Sequence, residues 1–187
     1  MSARFNIQNT PLQGLRLIET KPMGDNRGSL ERLFCEEEFS DLLMGKKISQ
    51  INQTNTINKG TVRGMHFQFP PHSETKIIKC IEGEVFDVAV DLRKKSPTFL
   101  QWHSEILSSD NSKIFYIPDG FAHGFQTLSD NCKMLYFHTF PYNKESEGGV
   151  RPTDPGLNIR WPLPVELLSD RDGSHPLIDN NFSGIVL

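Results

Sequence analysis

The sequence predicts a mainly β protein, a jelly-roll barrel with short flanking helices. Three observations carry that expectation. Apolar residues alternate with a period of two through several short runs. Turn signals such as "EGE", "KKSP", "SSDNS" and "IPDG" separate those runs at short intervals. Many short strands of this kind close on themselves as a sandwich or barrel, and a single stretch stands out as helical.

That stretch is "CEEEFSDLLMGKK". Glu36, Glu37 and Glu38 suit the positive end of a helix dipole, and Phe39, Leu42 and Leu43 give an apolar face. Gly45 can end the helix, with Lys46 and Lys47 near its negative end. Further along, "VRGMHFQF" reads as a strand stopped by Pro70 and Pro71, and "HSETKIIKC" starts the next at Lys76. In "EVFDVAVDL", Phe86, Val88, Val90 and Leu92 share one face, opposite Val85, Asp87, Ala89 and Asp91. In "MLYFHTF", Met134, Tyr136, His138 and Phe140 share a face. Polar residues on inward faces turn a barrel interior into a ligand cavity.

The totals set limits. A chain of 187 residues without repeats or linkers fits one domain, 1–187. Its net charge of −3 with scattered lysines and arginines gives no footprint for nucleic acid. Apolar runs are too short to span a membrane, and "MSARFNIQNTPLQG" lacks a signal-peptide core. Cys35, Cys80 and Cys132 form neither a disulfide framework nor a zinc pattern. A cytoplasmic location is expected.

The chemistry gathers around "GTVRGMHFQFPP". Strict alternation puts His66 and Gln68 on one face and Arg63 on the other. A bulge at Gly64 would let Arg63 and His66 both face the cavity. His66 alone reads most simply as a hydrogen-bonded histidine. A metal is the second reading, because "PDGFAH", ending at His123, has the Pro-x-Gly-x-x-His form of the second cupin motif. Metal-binding cupins, however, use a His-x-His pair, and Gln68 takes the place of the second histidine. With His66, His123 and Glu74 alone, a closed ligand set is hard to assemble. Proton transfer, the third reading, needs a base, an orienting partner, a cation for developing negative charge, and an acid. His66, Asp172, Lys76 and Tyr136 supply these in turn. Neither metal nor cofactor is expected.

Longer motifs point the same way. "GTVRGMHFQ", "KIIKCIEGEVFDVAVDLRKKSPTF", "IPDGFAHGF", "LYFHTFPYNKESEGGVRPTDPGLNIRWP" and "LLSDRD", with "DNRG" near the start, resemble the dTDP-4-dehydrorhamnose 3,5-epimerase family from about Lys21 to Asp172. The resemblance implies a metal-free cupin barrel, a homodimer that exchanges strands, and epimerisation of a nucleotide-linked 4-keto-6-deoxy sugar. The family's base matches His66, its orienting aspartate Asp172, its lysine near the keto oxygen Lys76, and its proton-donating tyrosine Tyr136. Its second active-site tyrosine matches Tyr142. Residues that hold the nucleotide diphosphate match Arg27, Gln50, Asn52, Arg63, His123 and Glu147. Arg171 stands where the family tends to have lysine. Rival readings are a one-centre epimerase, a ketoisomerase, a metal-dependent cupin enzyme and a non-catalytic sugar-nucleotide binder.

Overall fold

The computed structural model describes residues 4–179 and 181–187, so the first three residues of the N-terminal stretch lie outside it. Two antiparallel sheets face each other. One runs in the order β1 (Phe5–Asn9), β2 (Arg16–Thr20), β10 (Lys113–Ile117), β7 (Lys76–Glu82), β12 (Cys132–His138) and β5 (Gln50–Thr56). The other runs β13 (Glu147–Gly149), β6 (Thr61–Gln68), β11 (Phe121–Thr127), β8 (Glu84–Asp91) and β9 (Trp102–Ser108). A short parallel strand, β14 (Leu167–Leu168), also pairs with β6. Among the described residues no helix is long and apolar enough to cross a membrane.

The predicted alternation decides what each sheet face packs against. Val85 and Ala89 of β8 point between the sheets, where they meet Ile78, Phe115, Phe121, Phe125 and Met134. Val88, Val90 and Leu92 point outward and are covered by Val150, Leu157, Ile159 and Ile185 from the C-terminal part of the chain. The far face of the first sheet, with Ile18, Ile77, Ile114 and Phe137, is covered by Phe39 and Leu43. Each large side chain buried in this way contributes roughly 1.5–3 kcal/mol before entropy is counted. Three apolar layers therefore clamp two sheets.

The helix expected to start around Glu36 and end at Gly45 is much shorter. Only α1 (Ser40–Leu43) is helical, and Glu36–Phe39 form turns. Its N-cap position holds Phe39, which offers no capping side chain. Glu38 is drawn off to accept from the Arg4 backbone N–H at 2.9 Å and from Arg32 at 2.8 Å. Left-handed Met44, at φ +48°, closes the helix one residue before Gly45.

The expected bulge in β6 is present. His123 pairs with His66 while Phe125 pairs with Arg63, so three steps along β6 match two along β11. Gly64 sits at φ +122° inside the step. A Cβ there would lie 2.6 Å from the Gly124 Cα and 2.7 Å from the His123 carbonyl oxygen. Two backbones thus touch, and neither can yield. Gly64→Ala is expected to cost about 3 kcal/mol in urea unfolding and to lower activity further by displacing His66. A variant of wild-type stability would show that the strands can separate there without penalty.

Candidate active site

Between the sheets lies an open-mouthed cavity of ≈ 1000 Å³. Eleven of the twelve site residues expected from the sequence line it: Gln50, Asn52, Arg63, His66, Lys76, His123, Tyr136, Tyr142, Glu147, Arg171 and Asp172. Arg27 does not. It lies on a hairpin, β3 (Met23–Asp25) with β4 (Gly28–Leu30), is highly exposed, and pairs with Asp25 at 2.6 Å. The expected contact of Arg27 with the site is not made within one chain, because this hairpin pairs with neither large sheet.

His66 and Asp172 are 106 residues apart and meet at the cavity wall. Asp172 is delivered by α2 (Asp170–Ser174), whose first turn is fixed by the Ser169 hydroxyl accepting from the Asp172 N–H at 3.1 Å. Its Oδ2 accepts from the Gly64 N–H at 3.1 Å, so the bulge also anchors the carboxylate. His66 Nε2 lies 2.8 Å from Asp172 Oδ1 and 3.0 Å from Arg171 Nη2. Arginine only donates, so Nε2 either donates to the carboxylate or accepts from the guanidinium. Burial disfavours charge on Asp172, but hydrogen bonds from His66 and Gly64, with the Arg171 charge, hold its pKa down to about 2. An ionised Asp172 accepts a hydrogen bond from His66 Nε2–H. That leaves Nδ1, which has no protein partner among the described residues, as the basic lone pair.

This carboxylate links stability to pH. Because its folded pKa is depressed, it stabilises the fold above the unfolded value near 3.8, and that contribution is lost as pH falls from there through about 2. The contribution is at most about 2 kcal/mol. Urea unfolding near pH 7 and near pH 3 should show a smaller acid loss in Asp172→Asn than in the native chain. Equal losses would mean that other carboxylates carry the acid sensitivity.

Lys76 reaches the cavity from the start of β7 and is nearly buried, paired with Glu74 at 2.5 Å. Tyr136 comes from β12, and burial pushes its phenol up, keeping it protonated. Its ring stands edge-on to His123 at 6.0 Å. His123, opposite His66 across the β6–β11 ladder, is held by Asp87 at 2.9 Å. Burial raises the Asp87 carboxyl, and His123 offsets part of that rise. At the rim, Tyr142 and Arg171 both bond Glu147, at 3.1 and 3.0 Å. Arg63 is steadied by Thr56 at 2.9 Å. A base, a cation and an acid thus line one cavity, beside arginines suited to phosphate.

Three residues in or beside the cavity were given no part in proton transfer or substrate binding by the sequence. Glu74 lies two positions before Lys76, close enough in sequence to suggest a pair. Asp87 and His138 sit on faces that alternation turns inward. Burial first, then the charges of Lys76 and His123, push the His138 imidazole down to about 4, so it is neutral near pH 7. Behind the cavity wall, outside its lining, His175 lies 3.8 Å from Asp172 and carries no sequence signal at all.

Comparison with known proteins gives the family. A profile of the dTDP-4-dehydrorhamnose 3,5-epimerase family matches residues 9–180. The chain belongs to this family. It is 40% identical over 175 residues to the dTDP-4-dehydrorhamnose 3,5-epimerase of Salmonella typhimurium, covering 92% of this chain and 95% of that one. The Legionella pneumophila dTDP-6-deoxy-D-glucose-3,5-epimerase, solved in complex with dTDP-4-keto-L-rhamnose, superposes with a TM-score of 0.89 at 40% identity. That alignment covers 97% of this chain and 98% of the other. The Elizabethkingia anophelis dTDP-4-dehydrorhamnose 3,5-epimerase gives a TM-score of 0.90 at 36% identity, covering 96% of this chain and 100% of its own. These family members share the cupin-like jelly roll.

Proposed function

We infer that the protein is a sugar-nucleotide epimerase, an isomerase that inverts C3 and C5 of dTDP-4-dehydro-6-deoxy-D-glucose to give dTDP-4-dehydro-L-rhamnose. The observation that carries this reading is the His66–Asp172 pair in one cavity with Lys76 and Tyr136. A C4 carbonyl acidifies the hydrogens at C3 and C5, since either carbanion is an enolate. His66 Nδ1 removes the proton, and Asp172 supports the imidazolium that forms. Lys76 holds the negative charge that develops on the C4 oxygen. Tyr136 delivers a proton to the opposite ring face, which inverts the centre. Arg63, Gln50, Asn52, His123, Tyr142, Glu147 and Arg171 hold the nucleotide diphosphate, whose binding energy positions the ring.

The same reading takes the protein as a homodimer acting in the cytoplasm, with each Arg27 completing the partner's site. Support comes from the β3–β4 hairpin, which displays exposed Met23 and Leu30 as well as Arg27. Three free thiols suit a reducing compartment. Light scattering should give twice the chain mass, and a stable monomer with full activity would sink the exchange.

The function itself is tested in deuterated water with dTDP-4-dehydro-6-deoxy-D-glucose, followed by proton NMR. Deuterium should enter at C3 and C5 as the rhamno product forms. Exchange at one carbon alone would make the protein a one-centre epimerase, and no exchange with bound substrate would remove the reading.

A further inference from the structure

We propose that the rear of the His66–Asp172 pair is a binding site for a soft divalent transition cation of the zinc type, and that its occupation switches the base off. Three donors converge there. His66 Nε2, Asp172 Oδ1 and His175 Nε2 all lie within 4.8 Å of one another. Asp172 Oδ1 is 2.8 Å from the first nitrogen and 3.8 Å from the second. A tetrahedral zinc at about 2.0–2.2 Å from each donor places donors roughly 3.4 Å apart. Closing the widest separation to that value takes a change of no more than about 1.4 Å, shared between two side chains.

His175 makes this more than a catalytic pair with a neighbour. Its Nε2 is buried and has no hydrogen-bond partner among the described residues. Its ring stands edge-on to His66, with centroids 5.8 Å apart. It is seated on Gly149, where any Cβ would collide with the imidazole. Leaving a buried ring nitrogen unpaired costs free energy, and a cation would use that lone pair. One contact opposes binding: Arg171 Nη2 stands 3.0 Å from His66 Nε2 and must leave. Arg171 is about half exposed at 54%, and Glu147 already holds its other terminal nitrogen.

The consequence for the base follows from the imidazole's two nitrogens. In the active form Nε2 carries the proton and Nδ1 the lone pair. A cation on Nε2 displaces that proton, and a neutral ring must then carry its hydrogen on Nδ1. The lone pair that would take the substrate proton is gone, while the cavity stays open. Inhibition should therefore appear in kcat and leave KM alone.

The inhibitory effect rests on the epimerase reading, whereas binding of the cation does not. Cobalt(II) chloride should give the visible d–d bands of a tetrahedral nitrogen–oxygen site, saturating at one equivalent per chain. Zinc sulfate should bleach them and lower kcat with KM unchanged, EDTA should restore activity, and magnesium should do neither. His175→Gln should lose the bands and become at least about tenfold less sensitive to zinc, with its basal kcat kept. Equal zinc sensitivity in that variant would overturn the proposal. So would a rise in KM alone, which is the mark of zinc captured by the substrate diphosphate, or near-ultraviolet thiolate bands, which place the metal on a cysteine. Should His175→Gln not fold, the wild-type cobalt titration decides, and no visible bands at one equivalent overturns the site. A chain that binds cobalt but never epimerises refutes the epimerase reading alone.

Discussion

His66→Asn should lower kcat by a factor between about 10² and 10⁴, the range that a positioned general base contributes. The loss has one cause. Asparagine can keep a contact with Asp172, which remains anchored by the Gly64 N–H at 3.1 Å, but it offers no lone pair of suitable basicity at the place of Nδ1. Binding of dTDP should survive, because the residues proposed for the diphosphate lie elsewhere on the cavity wall and rim. The sharper measurement is positional. Deuterium entry at C3 and at C5 should both fall, since one base on one wall is assigned to both carbons. If exchange at either carbon continues at the native rate, another group serves that carbon, and the neutral His138 would be the first to examine.

Lys76→Met should have two separable effects. Without the ammonium, charge building on the C4 oxygen loses its main partner, and kcat should fall by roughly 10²–10³. The fold should also weaken by about 3–5 kcal/mol, because Glu74 would be left charged and almost wholly buried. Its Oε2 already lacks a hydrogen-bond partner. Adding Glu74→Gln removes that charge. The double variant should therefore regain most of the stability in urea unfolding and none of the activity. If activity returned with stability, Lys76 would be a structural counter-ion and the enolate would need another cation.

How much of this was legible in the sequence depended on the distance over which each signal acts. Period-two alternation is local, so the facing of Val85, Asp87, Ala89, Met134 and Tyr136 could be read directly. The bulge was legible too, since a glycine in mid-strand is a common bulge position and Gly64 stands between Arg63 and His66. The helix between Glu36 and Gly45 was overread. Dipole and apolar-face signals said nothing of the missing N-cap or of Arg4 and Arg32 pulling Glu38 aside. The partnership of His66 with Asp172 spans 106 residues; it was proposed from what proton transfer requires, and the family resemblance supplied a matching aspartate. His175 was invisible because its position depends on Gly149 leaving room across the fold. Arg27 marks another boundary: matched to the site by resemblance, it lies within one chain on an exposed hairpin, paired with Asp25.

The touching backbones of Gly64 and Gly124 have a consequence for how such a protein diversifies. The position of His66, and through the Gly64 N–H that of Asp172, is set by main-chain contact between two barrel strands. Tyr142 and Glu147 instead sit at the rim on a loop and a three-residue strand. Mutational drift at that rim can retune which sugar nucleotide is admitted without moving the reacting groups. Directed evolution for new substrates should accordingly accumulate its changes around the mouth and leave β6 and β11 untouched.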